Sequence, residues 1–107
     1  MITVSPKAAQ KIRESLTRAE PGLSLRLAAR RLPDGAFDYA MGLDAPGQHD
    51  TRVESNGVKV IVAPTSAEFL RGATLDYVEL EQGDHRFIFM NPNDPGYVAP
   101  RENNEQS

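Results

Sequence analysis

Cysteine is absent from all 107 residues, and tryptophan with it. No disulfide, thiolate metal site or cysteine nucleophile can therefore be built from this chain. Aromatic residues make up only 7%, and none is interleaved with the cations in a way that would stack nucleobases. No apolar run approaches the ~20 residues needed to cross a bilayer, and the mean hydropathy is -0.47. Phosphate loops, Gly-x-Gly-x-x-Gly turns and Gly-x-Ser-x-Gly elbows are all missing, so nucleotide and hydrolase chemistry lack their motifs. No nucleophile–base pair stands in for them, and the chain reads as a non-enzyme. Met1-Ile2-Thr3-Val4-Ser5-Pro6 shows neither the basic nor the apolar region of a secretory signal, which predicts a cytoplasmic location and no membrane partner.

What is present suits one small folded unit. Apolar residues are 39% of the chain, enough for one core and not for two. The net charge is -3, which argues against nucleic acid as a partner. That average hides an asymmetry: residues 1–31 carry an excess of five positive charges, and residues 32–107 an excess of eight negative ones. A solvated helix face and a basic turn account for the positive third.

Ser5 followed by Pro6 reads as an N-cap with proline at the first helical position, and Ala8, Ala9, Ile12, Leu16 and Ala19 recur at helical spacing. After Pro21-Gly22, Leu23, Leu25 and Leu27 alternate with Ser24 and Arg26, as in a half-buried strand. Phe37, Tyr39, Met41 and Leu43 repeat that alternation, and Arg30 to Gly35 between the two runs reads as a turn, giving a hairpin with a protruding loop. Asn56-Gly57 signals a second hairpin, and Val58 to Ala63 a central strand. Thr65 or Ser66 is placed to cap a short helix that Gly72 ends, and Leu75–Leu80 with Arg86–Met90 forms a last strand pair. The order predicts a strand-dominated α+β fold: a mixed, short-stranded β-sandwich with an N-terminal helix and one short inserted helix. A folded domain is expected over 1–95 and a flexible polar tail over 96–107.

Histidines are few: His49 and His85 lie far apart and offer no i, i+4 ligand pair, so both read as surface residues. Asp34, Asp38, Asp44 and Asp50 could offer hard oxygen ligands, yet turns use aspartate to cap their own backbone, and that use covers all four. Tyr77 reads as a strand aromatic.

Taken in order, Ile2-Thr3-Val4-Ser5-Pro6, Leu25-Arg26-Leu27, the run Phe37 to Asp44, Gly57 to Val62, Leu75-Asp76-Tyr77-Val78-Glu79 and Phe87-Ile88-Phe89-Met90-Asn91-Pro92-Asn93 resemble the A-type iron-sulfur carrier family, also called HesB/IscA-like. The resemblance runs from residue 2 to about residue 93. It implies a fold and a set of ligand positions. The family places one cysteine in a Gly-Gly-Cys-Ser-Gly-Phe loop and two in a C-terminal Cys-Gly-Cys; by the resemblance these fall here at Asp34, Val98 and Pro100. Valine and proline offer no side-chain donor, so no cofactor is expected, neither iron nor an iron-sulfur cluster. Leu27-Ala28-Ala29-Arg30, Pro33-Asp34-Gly35 and the ending Asn91 to Tyr97 are similar to a cysteine-free branch, the DsrR-type proteins of sulfur-oxidising bacteria. The resemblance then implies an accessory or regulatory interaction module with a protein partner in sulfur or iron-sulfur metabolism. A homo-oligomer is compatible with it. Arg30, Arg31, Asp34 and Tyr97 are the candidate contact residues. The alternative is a metal carrier on carboxylate ligands, with Asp34 in the place of the first cysteine.

Overall fold

The computed structural model describes residues 2–95. Its elements, in chain order, are β1 (Thr3–Val4), α1 (Pro6–Arg18), β2 (Ser24–Arg31), β3 (Phe37–Asp44), β4 (Thr51–Ser55), β5 (Val58–Val62), α2 (Pro64–Ala67) with a following 3-10 turn (Glu68–Leu70), β6 (Thr74–Glu81) and β7 (Asp84–Met90). They form the strand-dominated α+β sandwich that the element order predicts. One sheet runs β3-β2-β5-β4 and the other β1-β6-β7. Both are mixed, because β2 lies parallel to β5 and β1 parallel to β6 while the other pairs are antiparallel.

The local signals explain most of these elements. The Ser5 hydroxyl accepts the Ala8 N–H at 3.2 Å, satisfying one of the orphan donors at the start of α1, and Pro6 occupies a position that needs no donor. Ala8, Ala9 and Ile12 then bury one stripe of the helix. Between β4 and β5, Asn56 and Gly57 take φ of 50° and 82°, the two left-handed residues of a tight hairpin whose twist matches its strands. The same asparagine also joins the sheets: its side-chain amide donates to the Val4 carbonyl at 2.6 Å, and Ser55 Oγ accepts the Val4 N–H at 2.9 Å. The outward groups of the two-residue β1 are thus satisfied by side chains of the opposite sheet.

One core lies between the sheets. Val4, Leu25, Leu27, Val58, Val60, Val62, Leu70 and Leu75 are each at most 1% exposed. Burying each such side chain favours folding by about 1.5–3 kcal/mol before entropy is counted. Ile61 is also buried, but it belongs to the other face of its sheet and not to this cluster.

Two local expectations are corrected. Arg30 and Arg31 are not turn residues: β2 continues through Arg31, and they pair with Asp38 and Phe37. Cross-strand pairing decides this, and only Leu32 to Ala36 is left as the loop. Neither Thr65 nor Ser66 caps α2, whose N-cap is Ala63 without a side-chain bond. Ser66 instead turns inward, where its Oγ accepts the Ala29 N–H at 3.2 Å and donates to the Ala29 carbonyl at 3.1 Å. β5 pairs with β2 at Leu25 and Arg26, so Ser66 serves as a substitute partner where β2 runs beyond it.

Candidate functional site

The β2–β3 hairpin projects past the sheet, and its tip is built by short-range bonds. Leu32 N–H donates to the Ala36 carbonyl at 2.7 Å and Gly35 N–H to the Leu32 carbonyl at 2.9 Å, with Gly35 at φ 90°. A left-handed residue is needed there, and glycine adopts it without strain. The exposed Asp34 accepts the Ala36 N–H at 2.9 Å, so this carboxylate is engaged in closing its own turn.

Behind the tip the two arginines have different surroundings. Arg30 and Asp38 meet across the hairpin at 3.0 Å with side chains 73% and 50% exposed, a pair worth no more than about 1 kcal/mol. Arg31 lies over two rings, 5.4 Å from the centre of Phe37 and 5.9 Å from that of Phe69, which themselves meet edge to face. Beside them a groove of about 500 Å³ runs along Ala28, Arg30, Tyr39, Thr65 and Phe69.

Tyr39 ties this hairpin to the chain leaving the last strand. Its ring stacks on Phe89 at 4.5 Å with planes 6° apart, and its hydroxyl donates to Asp94 Oδ2 at 2.7 Å. Burial, and then the neighbouring Asp94 carboxylate, push the phenol up to about 12. Asn91, 1% exposed, donates from Nδ2 to the Phe69 carbonyl at 2.6 Å, while its Oδ1 accepts the Asn93 N–H at 3.0 Å. Asn93 Nδ2 donates to the Arg71 carbonyl at 2.7 Å. The Asn91-Pro92-Asn93 run therefore clamps the 3-10 turn against the end of β7. Tyr97, Val98 and Pro100 lie outside the described residues.

A second polar cluster lies on the outer face of the β3-β2-β5-β4 sheet. Arg26 donates from Nε to Asp44 at 2.7 Å, and from both terminal nitrogens to the two oxygens of Asp50 at 3.0 and 2.7 Å. The Asp50 side chain is only 6% exposed. The Arg26 hydrogen bonds and then the Gly47 N–H hold its carboxyl down at about 2, while the same contacts raise the guanidinium above its ordinary value. Asp44 and Asp50 are thus arginine partners, which sequence reasoning missed because the partners lie 18 and 24 residues from Arg26. His49 is exposed, and His85 stacks on Tyr77 at 5.6 Å with Glu79 at 3.8 Å. Among the described residues no three His, Asp or Glu side chains converge as metal ligands.

The fold has close relatives among solved structures. It matches the crystal structure of Escherichia coli SufA, involved in biosynthesis of iron-sulfur clusters, with a TM-score of 0.74 and 27% identity over 92% of this chain and 86% of that one. A structure of IscA with the [2Fe-2S] cluster matches with a TM-score of 0.67 and 29% identity, over 86% of this chain and 83% of that one. In sequence, the iron-binding protein IscA of Cronobacter sakazakii is 39% identical over 93 residues, 86% of either chain. Residues 1–94 match the family of iron-sulphur cluster biosynthesis. The chain belongs to that family. Of the relatives just described, one is an iron-binding protein and another is involved in biosynthesis of iron-sulfur clusters, carrier and assembly roles and not catalytic ones.

The expectation that no cofactor attaches to this chain is corrected by the same findings. A relative at 39% identity is an iron-binding protein and a structural neighbour holds a [2Fe-2S] cluster, so iron chemistry comes with the family. The expectation ran from missing thiolates to missing iron, but imidazole and carboxylate ligands also hold iron. The donor set of this chain remains unusual for the family's cluster. With zero cysteines it cannot supply thiolate sulfur, and Asp34, Asp44 and Asp50 are already engaged.

Proposed function

We propose that this chain is a non-enzymatic accessory module of iron-sulfur cluster biosynthesis, acting by docking on a protein partner of iron-sulfur or sulfur metabolism with a regulatory outcome. It resembles the cysteine-free, DsrR-type branch of the family and works in the cytoplasm. One observation carries the reading: a full family frame over residues 1–94 is retained with zero cysteines. Iron enters as the cargo of the assembly that the module serves. The docking end is the β2–β3 hairpin with Arg30, Arg31 and Asp34, joined by Tyr97 from the segment beyond residue 95. Residues 1–95 act as the domain and 96–107 as its polar tail. Arg31 favours this end, since a guanidinium held over two rings has its orientation set before a partner arrives.

The test pairs affinity capture by the full chain with the Arg30→Ala/Arg31→Ala variant. A cluster-assembly or sulfur-metabolism protein enriched by the wild type and lost with the variant supports the reading, and undiminished capture of that protein overturns the assignment of the hairpin. Anaerobic iron titration of the wild type and Asp34→Ala runs alongside. Stoichiometric iron that disappears with Asp34→Ala would replace the docking role by carriage on carboxylates.

A further inference from the structure

The outer face of the β3-β2-β5-β4 sheet holds a cavity that neither the hairpin tip nor the Arg26 cluster uses. Alternation along the strands turns Leu25, Val53 and Val60 toward the core, and Ser24, Glu54 and Lys59 to the outer face. Register sets these three in one row. Lys59 stands opposite Glu54 in the antiparallel pair, and Ser24, one step before the Leu25–Val60 pairing, lies beside Lys59. The row crosses two interstrand spacings, about 10 Å. Half-buried Leu23 and Pro46 wall the cavity, and its volume is about 540 Å³. That is the size of a small-molecule site. Arg52 gives a hydrogen bond to the Gly47 carbonyl at 3.4 Å and so holds the loop that carries Pro46 at the rim.

The three polar groups of the row have no partner among the described residues. Ser24 is 5% exposed, yet its hydroxyl makes no hydrogen bond there. The other buried polar side chains, Ser66 and Asn91, are both bonded. An unpaired buried hydroxyl costs folding free energy, so nearly every such group has a partner, and an exception calls for one. Lys59 and Glu54 are placed where opposite charges favour pairing across a sheet, and they form no ion pair. The row therefore offers a hydroxyl donor beside an ammonium, and a carboxylate one strand further on.

We propose that this cavity binds a free α-amino acid with an aliphatic side chain. The ligand carboxylate accepts from Ser24 Oγ and lies against the Lys59 ammonium, the ligand ammonium faces Glu54, and the aliphatic group packs on Leu23 and Pro46. Hydrogen bonds to a charged group are the strong ones, and a walled site strengthens them further. A simple carboxylic acid leaves the Glu54 carboxylate unanswered, and a simple amine leaves Ser24 and Lys59 so. A peptide end carries one of the two charges, not both on one carbon. The free zwitterion answers the whole row.

The test is titration of the full-length, isotope-labelled chain with L-leucine, followed by backbone amide shifts. Shifts are expected at residues 22–24, 52–54 and 59–61, saturating with a Kd of about a millimolar or tighter. Isocaproate, which is leucine without its ammonium, and isoamylamine, which is leucine without its carboxylate, are each expected to bind at least about tenfold more weakly. Ser24→Ala should weaken leucine by about tenfold while the melting temperature of the unliganded chain stays the same or rises, because no bond is lost there. Glu54→Gln should weaken leucine by about tenfold and leave isocaproate no weaker. Absence of shifts with leucine well above that Kd overturns the proposal, and so does isocaproate binding as tightly as leucine. A melting temperature lowered by several degrees in unliganded Ser24→Ala overturns it as well, since the hydroxyl would then serve the fold.

Discussion

Replacing Asn91 by alanine should be the most damaging polar substitution in the described chain. The side chain is 1% exposed, and its amide donates to the Phe69 carbonyl at 2.6 Å while its oxygen accepts the Asn93 N–H at 3.0 Å and Asn93 Nδ2 at 2.9 Å. Each such bond is worth about 1 kcal/mol net, and a buried partner left unpaired adds about 1–3 kcal/mol. The Phe69 carbonyl keeps a longer bond from Asn93 Nδ2 at 3.2 Å, and Asn93 is exposed enough for water to replace part of the loss. The total therefore falls at about 2–3 kcal/mol. For a chain of this size that corresponds to about 10–20 °C in melting temperature, or roughly 1–2 M in urea midpoint. Urea titration followed by far-ultraviolet circular dichroism is the suitable assay, since there is no tryptophan. Asn91→Asp separates hydrogen bonding from volume. It keeps the shape and the acceptor but turns a carboxylate oxygen toward the Phe69 carbonyl, so at pH 7 it should destabilise at least as much as alanine and recover as the carboxyl is protonated. A loss below about 1 kcal/mol for Asn91→Ala, or a wild-type midpoint for Asn91→Asp, would refute the assignment of the clamp.

Three further outcomes follow from the same geometry. Ser66→Ala leaves the Ala29 N–H and C=O without their partner and should cost about 1–3 kcal/mol, with faster amide exchange at Ala29 as the local check. Asp50 has its folded pKa depressed to about 2 from 3.8, so its contribution is present above pH 4 and is lost as pH falls through about 2; the melting-temperature gap between wild type and Asp50→Asn should be full at pH 6–7 and close across that window, and a gap independent of pH would contradict the Arg26 pairing. Tyr39 is raised to about 12 from 10.0, so its contribution is complete below pH 10 and lost as pH rises through about 12; Tyr39→Phe should cost about 1–2 kcal/mol at pH 7 and flatten the alkaline loss in urea titrations.

What was legible in the sequence was local. Ser5-Pro6 started a helix, Asn56-Gly57 made a hairpin, and alternation marked β2 and β3, because those signals act within a few residues of themselves. Arg30 and Arg31 were misplaced because two adjacent cations before Pro33-Asp34-Gly35 look like turn chemistry, whereas Asp38 and Phe37 across the hairpin hold them in strand. The Tyr39–Asp94 bond spans 55 residues, Ser66–Ala29 spans 37 and Arg26–Asp50 spans 24, and no periodicity announces a partner at such distances. Asn91-Pro92-Asn93 stood out in the sequence as a marker of kinship, but its work as a clamp on the Phe69 and Arg71 carbonyls required coordinates.

The fold also explains how the frame of this family stands in a chain without a single cysteine. Asp34, which the sequence resemblance sets at one of the family's cysteine positions, is exposed, and the tip is closed by backbone bonds at Leu32, Gly35 and Ala36 together with its own carboxylate. The core side chains from Val4 to Leu75 do not depend on it, so a change of residue there costs no more than its exposed bond to the Ala36 N–H, about 0.5–1.5 kcal/mol. Scaffold and ligand set are therefore separable, as expected where function resides in residues grafted onto a fold. What the frame still does is hold two things together: the hairpin, and the chain leaving β7, joined by Tyr39 to Asp94 and by the Asn91 clamp. Ordering a loop at the moment of binding subtracts from affinity, and an end fixed in advance avoids that loss. A docking surface gains directly from such rigidity, and this is the physical reason to seek the partner at the Arg31 end of the molecule.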